Sequence, residues 1–170
     1  MTHPAQQPQT YDPMACGARC NICPLGPQGE LTEDDWKPVG PELHDRATVL
    51  AVAESPGPDE VVHGRPLIGR SGQEWNAALS ACGRSRPDVD LSNVICCRPP
   101  GQASGAWGRM KKTLDRLNKK RSRQGQEPLP HPATCCRPRL LNEARNYGSI
   151  ITLGKTATQA LTGVGSSIQA

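Results

Sequence analysis

Six of the eight cysteines in this 170-residue chain fall in three tight groups: Cys20-x-x-Cys23, Cys96-Cys97 and Cys135-Cys136. Two thiolates separated by two residues reach one metal centre from a single tight turn. If each of the other groups supplies one ligand, four thiolates meet, a set that suits Zn²⁺ and an iron–sulfur cluster equally. The long intervals between the groups put the ligands on separate elements, so a bound centre would staple the fold. Cys16 is an alternative to Cys20, but the C-x-x-C spacing favours Cys20. Cys82 shares the apolar face of a predicted helix and reads as a packed core thiol.

A second stretch with chemical potential is ESPGPDEVVHGRPLIGRS, Glu54 to Ser71, which interleaves three prolines with three glycines. Glycine reaches φ angles closed to other residues, and proline locks φ near −65°. Together they build a loop of set, unusual shape, as is needed where a ligand approaches the backbone closely.

The elements that must hold these residues alternate in type. Ala47–Ala53 is a short apolar run with the look of a fully buried strand. Ser71 and Glu74 form an S-x-x-E capping box for a helix whose apolar face is Trp75, Ala78, Leu79 and Cys82, closed by Gly83. Leu91–Cys97 is a second strand, stopped by Pro99-Pro100. Arg137–Tyr147 reads as a helix with Leu140, Leu141, Ala144 and Tyr147 inward. Ser149–Leu153 is a third strand, and Lys155–Leu161 a short helix ended by Gly163. Strands alternating with helices predict an α/β fold: a parallel sheet with helices on both faces, in three layers. Residues 1–15 read as a flexible leader and residues 16–170 as one domain.

Composition narrows the function classes. There is no Phe, so the core must be aliphatic. The net charge of +4 permits nucleic-acid binding without requiring it. Between residues 109 and 123, Arg109, Lys111, Lys112, Arg116, Lys119, Lys120, Arg121 and Arg123 are opposed only by Asp115. That stretch is either a phosphate-contact surface or a solvated charged helix. No apolar run approaches the ~18 residues of a membrane span, and the N-terminus lacks signal-peptide character. The chain reads as cytosolic, where thiols stay reduced and cysteine groups point to metal rather than disulfides. Gly154-Lys155-Thr156 fails as a phosphate loop, because Ser149 stands where its first glycine belongs. His131, in a proline-flanked loop, reads as a solvated histidine.

Taken in order, C-x-x-C-P-L, E-S-P-G, G-R-P-L-I-G-R-S-G-Q, S-N-V-I-C-C-R-P-P, C-R-P-R-L-L and I-T-L-G-K-T-A resemble the iron–sulfur (family 4 type) uracil-DNA glycosylases and the related N-terminal domain of phage-type DNA polymerases. The similarity runs from about Cys20 to Gly163. It implies a central parallel sheet of about four strands, the last missing here. It also implies a [4Fe–4S] cluster held by Cys20, Cys23, Cys97 and Cys136, in preference to zinc. Glu54 takes the place of the carboxylate that positions water, with Ser55, Pro56 and Gly57 lining the uracil pocket. Asn93 matches the asparagine that reads the uracil edge, and an amide offers both the donor and the acceptor this requires. The basic stretch, with Arg109, Lys111, Lys112, Lys119, Lys120 and Arg121, becomes the DNA-contact surface.

The implied partner is uracil-containing DNA, single- or double-stranded, with a replication or phage complex as a further setting. The chain departs from the family pattern in three ways. Leu67 stands where the family carries a stacking Phe, and Ala53 replaces the first glycine of G-E-x-P-G. The late H-P-S/A motif is not found within these 170 residues, which predicts a fragment of a longer protein or a degenerate copy. Two functions therefore follow: a uracil-DNA glycosylase, or a DNA-binding and assembly module of the same fold. A zinc-stapled nucleic-acid-binding domain is a third.

Overall fold

A computed structural model describes residues 11–32, 36–101 and 105–163. Its centre is β1, Val49–Ala53, whose apolar residues sit between β2 (Asp90–Asn93) and β3 (Ser149–Thr152). All three strands are parallel, with Ala53 opposite Asn93 and Val52 opposite Thr152. This confirms the α/β class and a three-stranded parallel sheet. Outside β2, Glu42 forms an antiparallel bridge with Leu91.

The period of two along β1 divides the core. Leu50 and Val52 pack on one face with Met110, Leu114, Leu140 and Ala157. Ala51 and Ala53 pack on the other with Leu67, Leu79 and Leu91. The first face is covered by α3 (Ala106–Arg123), α4 (Pro132–Ala144) and α5 (Lys155–Thr162). The second is covered by α2 (Arg70–Ala81) and the loop before it. Each fully buried Val or Leu contributes about 1.5–3 kcal/mol, which this Phe-free core needs. β3 is the open edge, with Ile150 and Ile151 still 38% and 40% exposed.

Several sequence expectations are corrected. The loop after β1 contains a short helix, α1 (Pro58–His63), entered from Gly57 with Pro58 in its first turn and left through Gly64 at φ +66°. Proline at the start and glycine past the end are ordinary helix punctuation. Helix α2 starts at Arg70, not Ser71, and Gly69 is its N-cap, so Ser71 and Glu74 form no capping box. Cys82 is exposed, because the helix ends at Ala81 before the apolar stripe completes another turn. β2 is shorter than predicted, although Val94 and Ile95 still donate from their amides to Ala53 and Glu54 at 2.8 and 3.2 Å. α4 begins earlier than predicted, at Pro132, and runs through Pro138.

The predicted leader is also too long. Tyr11 donates to Glu143 at 3.3 Å, and Pro13 is fully buried, so residues 11–15 are docked. Residues 1–10 of that leader and 164–170 of the predicted domain lie outside the described residues. Among the described residues no helix is long and apolar enough to cross a membrane.

Candidate active site and cysteine cluster

A pocket of about 780 Å³ opens past the carboxyl ends of the strands, the usual ligand position in an open parallel sheet. Glu54 follows β1, Asn93 ends β2, and Leu153 follows β3; all three line it. The structure thus brings together Glu54, Ser55, Pro56, Gly57, Leu67 and Asn93, the whole predicted substrate set. Trp75 from α2 and Trp107 from α3 complete the apolar wall.

The two polar residues at the strand ends are held differently. Thr156, at the start of α5, donates from Oγ1 to Glu54 Oε2 at 2.6 Å. Asn93 is 3% exposed, and its Nδ2 is buried without a hydrogen-bond partner. A buried, unpaired amide donor costs about 1–3 kcal/mol, so a position that keeps one is suited to an incoming acceptor. The backbone of Asn93 is held by Arg139, fully buried on α4, which donates to the carbonyls of Asn93 and Val94. Arg139 also donates to both carboxylate oxygens of Glu143 at 2.7 Å and to Ser92 Oγ at 3.1 Å. This network locks α4 to the end of β2.

The Gly/Pro loop owes its shape to two residues that sequence reasoning missed. Glu60, on α1, is 8% exposed. It accepts from Gly57 N at 2.9 Å, Ile68 N at 3.2 Å and Gly69 N at 2.9 Å, tying both halves of the loop together. Its position three residues after Gly57 was the available signal, an acid in the first turn of a Pro-initiated helix. Arg86 donates to the carbonyls of Pro66 and Leu67, the latter at 2.7 Å, while its other donors grip Glu42 at 2.7 and 2.9 Å. Nothing local in the sequence marks Arg86, since its partners lie about twenty and forty-four positions away.

Leu67 has φ +51°, a left-handed conformation that disfavours a branched side chain. Its carbonyl presses on Gly72, where an added Cβ would lie 1.9 Å from that oxygen. The strain is held by Arg86 and by burial of the leucine side chain against β1 and α2. Glu42, which supports Arg86, also pairs with Arg65 and His44. Burial alone would raise its pKa, but hydrogen bonds from Arg86 and then Arg65 outweigh that and hold it at about 2.

The cysteines converge behind the site. The Cys20–Cys23 turn is closed by an amide hydrogen bond and packs on α4, where Arg19 N donates to Cys135 O at 3.0 Å. Gly26 and Gly29 admit no Cβ, which would lie 1.8 Å from Cys20 O and 2.3 Å from Pro24 O respectively. Cys20 is pushed up to about 11 by burial and then by Cys136. Cys97 is pushed up to about 12 by burial, with Cys136 and Cys20 adding to it. Cys135 and burial push the Cys23 thiol up, and Cys136 and burial push the Cys96 thiol up. Among the described residues, no group of three His, Cys, Asp or Glu is arranged to hold a metal ion. The donor set fits a thiophilic centre in kind: buried and half-buried sulfur atoms from three chain segments, all free thiols.

The basic stretch is the outer face of α3. Arg109, Lys111, Lys112, Lys119 and Lys120 are exposed, while Arg121 is half-buried and donates to Glu30 at 2.7 Å and to Glu127 O. His131 is not the solvated histidine expected. It is half-buried and caps α4, its Nδ1 accepting from Ala133 N at 3.2 Å, with its ring 5.4 Å from that of Trp107. Burial, then Lys111, lower its pKa against the opposing pull of Asp115.

Curated type-4 uracil-DNA glycosylases of Pyrobaculum aerophilum, Archaeoglobus fulgidus and Thermotoga maritima are 38%, 35% and 42% identical over 81, 82 and 82 residues. Each alignment covers 48% of this chain and 38–40% of the relative, so the chain spans about two fifths of the length of the proteins it matches. Residues 41–169, from the Glu42 bridge through α5, match the profile of one family: the chain belongs to the uracil DNA glycosylase superfamily.

Proposed function

We propose that this chain acts on DNA as a uracil-DNA glycosylase, taking a flipped uracil into the pocket and hydrolysing its N-glycosidic bond. The observation that carries this reading is the buried, unpartnered amide of Asn93 in the same pocket as the Glu54 carboxylate. Asn93 Nδ2 would donate to a uracil carbonyl and its Oδ1 accept from the ring N–H, a pairing that selects one pyrimidine edge. As the bond breaks, the sugar gains positive charge and the base leaves as an anion. Glu54, aimed by Thr156, stabilises the cationic sugar and orients the attacking water, while the Asn93 donor meets the charge developing on the base. Base flipping puts the nucleotide where the loop between Glu54 and Gly72 can enclose it.

Cys20, Cys23, Cys97 and Cys136 would hold a [4Fe–4S] cluster, which when bound would supply metal–thiolate cross-links between the N-terminal turn, the segment after β2 and α4. Arg109, Lys111 and Lys112, in the first half of α3, provide phosphate contacts, and Lys119 and Lys120 further along add diffuse positive charge.

The test is incubation of the purified chain with a uracil-containing single strand, followed by alkaline cleavage of abasic sites. Strand cleavage that disappears in Glu54→Gln and with a thymine-containing control is expected. Absence of product at large protein excess overturns the glycosylase reading; strand binding without cleavage would then identify a DNA-binding module.

A further inference from the structure

A second cavity, of about 320 Å³, lies between α3, α4 and α5 and was not anticipated from the sequence. Three of its lining residues are nitrogen bases or cations: Lys111 from α3, His131 at the N-cap of α4 and Arg137 within α4. Thr134 and Thr156 add hydroxyls. The cavity shares a wall with the main pocket. Trp107 lines both, and Thr156, which lines the second, donates to Glu54 in the first.

The donors have defined chemistry. His131 Nδ1 accepts from Ala133 N, so the neutral ring carries its proton on Nε2 and is a donor there. Lys111 and Arg137 are exposed cations, and Arg137 is anchored by Nε to Ala160 O at 2.9 Å, which leaves its terminal nitrogens for a ligand. The lining residues include no carboxylate. A concave site of cations, hydroxyl groups and a histidine donor fits a singly charged tetrahedral oxyanion.

We propose that this cavity is a phosphodiester subsite that holds the DNA strand beside the nucleotide in the main pocket. The inference rests on the main pocket being a nucleotide pocket. It divides the basic face of α3: Lys111 contacts a defined phosphate, while Lys119, eight residues further along the helix, lies outside the cavity.

The experiment measures binding of a fluorescent single strand without uracil at a series of salt concentrations. The proteins compared are wild type, Lys111→Gln, Arg137→Gln and Lys119→Gln. For single strands the slope of log K against log salt is about 0.7 per phosphate contact. Each of the first two variants is expected to lose about that much slope, and Lys119→Gln clearly less. Lys111→Gln is the decisive variant, because Lys111 is exposed and its loss leaves the α4–α5 contact intact. An unchanged slope in Lys111→Gln overturns the subsite, as does an equal loss in Lys119→Gln, which would mean a diffuse patch. Uracil release is assayed in parallel: cleavage with an unchanged Lys111→Gln slope sinks the subsite alone. A reduced slope without cleavage keeps the subsite and sinks the glycosylase reading.

Discussion

Thr156 Oγ1 lies 2.6 Å from Glu54 Oε2, a hydrogen bond between residues 102 positions apart that joins the start of α5 to the end of β1. Hydrogen bonds to charged groups contribute about 1.5–3 kcal/mol, and about 1.4 kcal/mol is tenfold in rate. Thr156→Val is therefore expected to lower kcat about tenfold with little change in KM, and Thr156→Ser to restore it. Unchanged turnover in the valine variant would show that the hydroxyl does not position the carboxylate.

Asn93→Ala removes the unpaired amide but keeps the backbone carbonyl through which Arg139 holds the strand end. Preference for a uracil-containing over a thymine-containing strand is expected to fall about 10- to 100-fold, with the circular dichroism spectrum unchanged. Retained preference would remove Asn93 from base reading.

Glu60→Gln replaces a charged acceptor of three backbone amides with a neutral one. A loss of about 2–3 kcal/mol, or roughly 5–10 °C in Tm, is expected, with faster hydrogen exchange at Gly57, Ile68 and Gly69. Gly72→Ala should be worse, since its Cβ meets backbone rather than a movable side chain. Equal exchange rates in wild type and Glu60→Gln would mean that the loop holds its own shape.

Glu42 carries a pH dependence. Its pKa in the folded chain, about 2, lies below the ordinary carboxylate value near 4.3. The folded state thus favours the charged form, and the stabilisation is complete above about pH 5 and lost as pH falls from about 4 toward 2. Because Glu42 braces Arg86, which braces Leu67, acid should loosen the pocket wall. Tm is expected to be higher in wild type than in Glu42→Gln at pH 7, and the gap to close by about pH 2. A gap independent of pH would show that packing, not charge, is what Glu42 contributes.

The cluster assignment is checked by metal analysis of anaerobically prepared protein. Iron and sulfide with broad visible absorption are expected, both abolished in Cys23→Ser and both retained in the exposed-thiol variant Cys82→Ser. Zinc without colour would replace the cluster with a tetrahedral zinc site.

The apolar run at Ala47–Ala53 and the helix signals around α2 and α5 are local, so the alternating elements could be read directly. Glu54 and Asn93 come instead from the family resemblance of E-S-P-G and S-N-V-I-C-C; the structure explains why they meet, since each stands at the end of a strand and strand ends in a parallel sheet share one edge. Cys82 shows the limit of reading local pattern. Its periodicity was right for a longer helix, but α2 stopped one residue before it, and a single residue at a helix end decides burial.

Element order is thus a property of local pattern, written in periodicity and in the Gly/Pro punctuation of the chain, and the pocket residues are legible through the order of the family's motifs. The shape of the pocket wall is not. Leu67 is held in a left-handed conformation by Arg86, Arg86 by Glu42, and the two loop halves by Glu60. The cavity at Lys111, His131 and Arg137 likewise exists only because three helices pack together. Such contacts join residues far apart in sequence, and their energies depend on distance and burial, which only tertiary structure sets.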